Sequence, residues 1–157
     1  MNRTFALIAL AAGLSASAAS AQTHYFTQGA TLYSTSNNGA TVSSVGITFG
    51  GNAVTISSLA FDPSGNLWGG TTQNGNIYRI NTITGVATAT AIPQLGGQSN
   101  TFDFRQNGSV LEAIIFTNNG GGNSTIQIRN AATGAVILAP TAASQGFNPG
   151  TPASAYV

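Results

Sequence analysis

The sequence predicts an all-β protein assembled from small antiparallel sheets laid in tandem. Three observations carry this expectation. Gly, Asn, Ser and Thr interrupt the chain every roughly 8–12 residues, with short runs rich in Val, Ile, Thr, Phe and Tyr between them. Beyond Gln22 no segment sustains a helical period, and glycine is scattered too densely for long helices. A unit of four short strands recurs, whole or in part, at a period of roughly 40–50 residues.

In chain order, residues 1–21 read as a signal peptide. Arg3 supplies the positive start, Phe5 to Ala16 an apolar stretch of about 12 residues, and Ala19-Ser20-Ala21 the small residues before a cleavage site. Cleavage after Ala21 would release a chain beginning at Gln22, secreted or periplasmic and so at the cell exterior; the leader has a bacterial look. No later run approaches the ~18 apolar residues of a membrane span. Residues 22–140 form the expected repeat domain. Residues 141–157 form a flexible tail, Gly/Pro/Ala-rich from Gln145 and read as coil.

Thr31 to Thr48 reads as half a unit, because Leu32-Tyr33 with Gly39 resembles Ile77-Tyr78 with Gly85. The clearest unit is Ile56 to Ile92. Ile56 to Phe61 is its first strand. Asp62-Pro63-Ser64-Gly65 then has type I turn chemistry: Asp accepts a backbone hydrogen bond, Pro presets φ, and Gly suits the fourth position. Asn66 to Thr72 is the second strand, followed by an Asn74-Gly75 hairpin turn. Asn76 to Asn81 is the third, Thr82 to Gly85 turns again, and Val86 to Ile92 is the fourth. The next unit, Asn100 to Pro140, repeats Phe61-Asp62 as Phe102-Asp103 and Asn81-x-x-Thr84-Gly85 as Asn130-x-x-Thr133-Gly134, with a longer loop over Asn118 to Asn123.

Leu59-Ala60-Phe61-Asp62-Pro63-Ser64-Gly65-Asn66-Leu67-Trp68, followed by Ile77-Tyr78-Arg79-Ile80 and Thr84-Gly85, resembles repeats of the NHL and gluconolactonase-like β-propeller superfamily. The match is good over Ile56 to Ile92. It is looser over Asn100 to Ile137, where Phe104-Arg105-Gln106-Asn107-Gly108 replaces the Pro-containing turn, and weak before Phe49. The Gly-His and Trp-Asp marks of WD40 repeats are absent. The resemblance implies tandem four-stranded blades; it specifies architecture and leaves activity open, since propellers host unrelated functions. Only about two and a half blades can be counted, against the 4–8 of a closed propeller. The resemblance therefore implies an incomplete propeller: an open array, an assembly with other chains, or a truncated product.

Composition narrows the function. Charged residues are 4% of the chain, against roughly 25% in average usage. Beyond the leader, Arg79, Arg105 and Arg129 balance Asp62, Asp103 and Glu112, and lysine is absent. So few cations cannot neutralise a phosphate backbone, which argues against nucleic acid, and there is no basic patch for anionic lipid. Without cysteine, neither disulfides nor thiolate metal sites can form.

Few residues are left for chemistry. Asp62 and Asp103, placed at matching blade positions, are the metal candidates, with Ca²⁺ the cation in view because hard ions need several oxygens; alternatively each caps a turn. Glu112, on the apolar run Val110 to Phe116, needs a partner, and a hairpin pivoting near Gly120-Gly121 sets it about opposite Arg129 as a structural ion pair. A catalytic carboxylate is the sharper reading of Glu112. His24 reads as a terminal residue. Trp68, Tyr78, Phe61, Phe102 and Phe116 offer either a sugar-stacking platform or filling between blades. Asn107-Gly108-Ser109 and Asn123-Ser124-Thr125 fit the glycosylation pattern. No Gly-x-Ser-x-Gly elbow is present, and Gly50-Gly51 and Gly120-Gly121-Gly122 lack the ending of a phosphate cradle.

The expectation is an exported, non-catalytic blade module for binding or assembly, with no catalytic residues and no organic cofactor. Charge-poor strand edges lack the usual protection, which points to self-association or a protein partner. The alternatives are a fragment of a lactonase- or lyase-like propeller enzyme and a structural or adhesive surface protein.

Overall fold

In the computed structural model, residues 22–36, 42–71, 75–96, 99–118 and 124–142 are described. The expected leader, Gly39, Asn74, the loop residues 119–123 and the tail past Ala142 lie outside them.

Among the described residues, β-branched and aromatic runs between turn residues give thirteen strands, all paired antiparallel within their sheets. Sheet one holds β1 (Thr23–Gln28), β2 (Thr31–Ser36) and β3 (Val42–Gly46) in that order. A small hairpin, β4 (Thr48–Phe49) with β5 (Asn52–Ala53), links it onward. Sheet two is β6 (Ser58–Phe61), β7 (Leu67–Gly70), β8 (Ile77–Ile80) and β9 (Ala87–Ala89). Sheet three is β10 (Ser99–Asn107), β11 (Val110–Asn118), β12 (Ser124–Asn130) and β13 (Val136–Ala142). The two four-stranded sheets are consecutive meanders. Among the described residues they form no closed propeller.

Turn chemistry sets the strand ends. The Gly65 N–H donates to Asp62 O at 2.9 Å, while Asp62 Oδ1 accepts from the N–H groups of Ser64 and Asn66, both at 2.9 Å. These bonds hold Asp62 and Asn66 in the turn, so β6 and β7 are shorter than the runs Ile56 to Phe61 and Asn66 to Thr72. The recurring Asn-x-x-Thr-Gly turn is built twice in the same way. Asn81 Oδ1 accepts from Ile83 N (2.9 Å) and Thr84 N (3.0 Å); Asn130 Oδ1 accepts from Ala132 N (2.9 Å) and Thr133 N (3.0 Å). Gly85 and Gly134 close these turns at φ 72°, the left-handed conformation that glycine adopts without strain.

Those glycines also set how sheet meets sheet. A Cβ on Gly85 would overlap the carbonyl oxygen of Gly46 at the end of β3, and one on Gly134 would overlap that of Ala91, just past β9. Each turn thus rests on the backbone of the preceding sheet.

Two apolar layers fill the gaps. Leu32, Ile47, Ile56, Leu67, Tyr78 and Ile80 lie between sheets one and two. Trp68, Ile77, Ile92, Phe102, Ala113 and Ile115 lie between sheets two and three. Strand alternation sends Leu67 to one layer and Trp68 to the other, so β7 is buried on both faces. Each large apolar side chain so buried contributes about 1.5–3 kcal/mol.

The N-terminal region differs from expectation. In place of half a unit over Thr31 to Thr48, sheet one has three strands, the first of them, β1, lying ahead of that span. Its sequence, Thr23-His24-Tyr25-Phe26-Thr27-Gln28, mixes polar and aromatic residues on both faces, so no clean apolar alternation marks it.

Candidate functional site

Strand pairing fixes which residues of sheets two and three correspond. Phe61 pairs with Leu67 and Leu67 with Ile80, just before the Asn81 turn. Phe104 pairs with Ala113 and Ala113 with Arg129, just before the Asn130 turn. Phe104 therefore matches Phe61, and Arg105 matches Asp62. The expected equivalence of Asp62 and Asp103 is incorrect. Asp103 lies mid-strand opposite Ile114, and its Oδ1 accepts from the adjacent Phe104 N at 2.8 Å. The repeated Phe-Asp pair misled because β10 runs on past it to Asn107.

Asp62 is buried and fully engaged. Besides the turn N–H groups, its oxygens accept from Asn66 Nδ2 (3.1 and 2.8 Å) and from the Trp68 indole Nε1 (2.9 Å). Burial pushes this carboxyl up, but the Trp68, Asn66 and Ser64 donors together outweigh it and hold Asp62 below the usual carboxylate range. Among the described residues no three metal-ligating side chains gather.

At the matching place in sheet three the roles reverse. The acid stands on the second strand and the cation on the first. Glu112 Oε2 accepts from Arg105 Nε at 2.6 Å, and Oε1 from Asn107 Nδ2 at 2.9 Å. Asn107 first, then Arg105, lowers the Glu112 carboxyl below its ordinary value. The expected Glu112–Arg129 pair does not form: Glu112 lies opposite Asn130, and Arg129 lies opposite Ala113 on the other face. Arg129 donates instead to Gln127 Oε1 (2.8 Å) and Gly134 O (2.9 Å), bracing the Asn130 turn. The loop between β11 and β12 sets a register one residue away from the expected one, and one residue exchanges faces.

The aromatic candidates are dispersed. Trp68 and Phe102 are buried in the second layer and Tyr78 in the first. Phe61 packs edge-on against Tyr25 at 5.6 Å, and Trp68 packs against Phe104 at 4.8 Å. These two contacts are one repeated contact, with Tyr25 in the place of Trp68. Phe116 is half-buried on β11, so the five form no common platform. His24 is not a loose terminal residue; it sits in β1 opposite Thr35. Of the glycosylation patterns, Asn107 is turned onto Glu112, and Asn123 lies outside the described residues.

Two surface features remain. The first is a cleft of about 460 Å³ between sheets two and three, bounded by Asp62, Trp68, Arg79, Leu111 and Ala131. Arg79 lies over the Trp68 ring at 5.8 Å and has no ion-pair partner among the described residues. The second is the far face of sheet three. Ile114 pairs with Ile128, and Ile128 with Leu138. With Ile126 they form an apolar stripe that no described sheet covers. The corresponding face of sheet two, carrying Trp68 and Ile77, is buried by sheet three. Beside the stripe, β13 is exposed along its whole length, with Val136 51%, Ile137 47% and Leu138 41% accessible. The sequence alone does not mark this stripe, because only the order of the sheets shows which face lacks a described neighbour.

Comparison of the chain with models of known protein families, with curated proteins and with solved structures gives no match.

Proposed function

We propose that the chain is an exported, non-catalytic module of propeller-like blades whose work is assembly with a second copy of itself. The reading is carried by the apolar stripe of Ile114, Ile126, Ile128 and Leu138 on a face that the repeat buries once already within the molecule. An uncovered apolar sheet face beside an uncharged edge strand is a standing invitation to pairing. The complementary surface is the free face of sheet one, where Phe26, 47% exposed, stacks on Tyr33 at 5.1 Å. Tyr33 holds the place that Tyr78 holds in sheet two, facing the preceding sheet. Catalysis has little support, because Asp62 and Glu112 already spend their oxygens on internal donors.

The test is the solution mass of the chain from Gln22 onward. The native protein is expected to run above monomer mass in light scattering, and Ile128→Lys to run as a folded monomer. A native protein that stays monomeric at high concentration overturns the reading. Fibres in electron micrographs would favour the adhesive alternative.

A further inference from the structure

The cleft between sheets two and three has a counterpart one sheet earlier, and the two differ. Gly85 rests on Gly46 as Gly134 rests on Ala91, so Val45 matches Thr90, while Thr82 and Ile83 match Ala131 and Ala132. Ser34 pairs with Ser43 as Arg79 pairs with Thr88, each one residue past the matched Tyr33 and Tyr78. Ser34 therefore stands where Arg79 stands. The earlier cleft, lined by Ser34, Ser43, Ser44, Thr82 and Ile83, measures about 210 Å³ and has no charged side chain in its lining. The later one measures about 460 Å³, within the roughly 300–1,000 Å³ of small-molecule sites. Alanines line it where Thr82 and Ile83 line the other. One place in the repeat is thus roomy and cationic, and its twin is narrow and neutral.

The charge in the later cleft is unused. Arg105 meets Glu112, and Arg129 meets Gln127 and Gly134. The Arg79 guanidinium meets no acceptor among the described residues; it is held over the Trp68 ring at 5.8 Å. The walls around it are fixed before any ligand arrives, which lowers the cost of binding. The Ala131 N–H donates to Leu111 O at 2.8 Å, and the Asp62 turn is tied to Asn66 and Trp68. We propose that this cleft binds a small monocarboxylic acid with an aliphatic body, its carboxylate on the Arg79 fork and its body against Leu111 and Ala131. A planar guanidinium matches a carboxylate with two parallel hydrogen bonds. Leu111 and Ala131 offer a wall without donors or acceptors, which suits an aliphatic body better than a ring of hydroxyls. Trp68, 4% accessible, has no open face on which a sugar could stack. Asp62 lies in the same lining with its oxygens already engaged, and its charge disfavours a second negative charge on the ligand. Leu111 packs toward sheet two, and Ile114 lies on the opposite face of β11, so this site is independent of the association surface.

Trp68 is the only tryptophan of the chain, so its fluorescence reports on this cleft. The probe is hexanoate, titrated into the chain from Gln22 onward, with hexanamide and inorganic phosphate as controls. Hexanoate is expected to change the emission saturably, and the two controls to leave it unchanged. Arg79→Gln should weaken binding about tenfold or more, the scale of one charge-assisted anchor. Arg79→Lys should recover part of that loss, since it keeps the charge and loses the fork. Arg79 is exposed on β8, so both variants are expected to keep the native circular dichroism. Calorimetric titration of the same three proteins reads binding without the indole, which Arg79 itself covers. Emission and heat unmoved by hexanoate at roughly 10 mM, where even a millimolar site is filled, overturn the inference. Equal affinity in Arg79→Gln also overturns it, because the acid then sits elsewhere. So does displacement of hexanoate by phosphate, which belongs to a general anion site. Should Arg79→Gln lose its native spectrum, Arg79→Lys and the comparison of hexanoate with hexanamide still decide.

Discussion

Sheets two and three are built to one plan and used differently. Both are four-stranded meanders, both turn on Asn-x-x-Thr-Gly, and both seat that turn's glycine on the sheet before. Yet among the described residues sheet two is covered on both faces and sheet three on one. The difference lies in the second strand. β7 carries Trp68-Gly69-Gly70, and β11 carries Ile114-Ile115-Phe116 at the matching places. A Cβ on Gly69 would press on Ile80 and Ile56, and one on Gly70 on Ser58 Oγ and Phe102. Sheet two is thinned where its neighbours approach, and Ser58 Oγ can donate to Asn100 O across the gap at 2.8 Å. Sheet three is not thinned there. The same backbone frame carries small residues in the sheet that is packed on both faces and bulky ones in the sheet that, among the described residues, is packed on one.

The largest effect is expected at the shared turn. Gly134→Ala combines positive φ with overlap of the Ala91 carbonyl, and should cost about 3 kcal/mol or more. Gly108→Ala, also at positive φ but in open space, should cost about 1–2 kcal/mol. Urea titration of both variants checks the contrast. Equal losses would mean that the seating on Ala91 contributes nothing.

Next come the matching positions Trp68 and Ile114. Trp68→Ala empties a buried site and should cost about 3–5 kcal/mol. Ile114→Ala, half-exposed within one chain, should cost about 1 kcal/mol in dilute solution. A rise in the cost of Ile114→Ala with protein concentration would show that association buries it.

Below the cost of Trp68→Ala come the two reversed polar pairs. Asp62→Ala leaves the Trp68 indole and the turn N–H groups without their acceptor and should cost about 1–3 kcal/mol. Both carboxyls are lowered by folding, so each adds stability that is complete above the unfolded value of roughly 4 and is lost as pH falls through the lower folded value. Stability curves between about pH 2 and pH 6 should therefore fall on the acid side, and Asp62→Asn should flatten that limb. Glu112→Gln should flatten it less, because exposed Arg105 is screened by solvent. A larger loss for Glu112→Gln would reverse the ranking of the two sheets.

What was legible in the sequence was local. Asp62-Pro63-Ser64-Gly65 and the two Asn-x-x-Thr-Gly segments announce their turns through side-chain acceptors and glycine, and the strands between follow. What was not legible was register. The partner of Glu112 depends on a loop whose pivot no residue marks, and an offset of one exchanged Arg129 for Asn130. The match of Phe102-Asp103 to Phe61-Asp62 failed because strand length, not motif, decides where β10 ends. β1 carries little signal because both of its faces, Thr23-Tyr25-Thr27 and His24-Phe26-Gln28, mix polar with aromatic side chains, so no apolar alternation marks it. The apolar stripe of sheet three was visible as residues but not as a surface, since which face is left bare follows from the order of sheets.

The seating of Gly85 on Gly46 and of Gly134 on Ala91 has a direction: each turn presses on backbone laid down earlier in the chain, never later. These two turns can therefore be bedded during synthesis on backbone already made, whereas the Gly75 turn, packed against Gly96, must wait for chain that follows it.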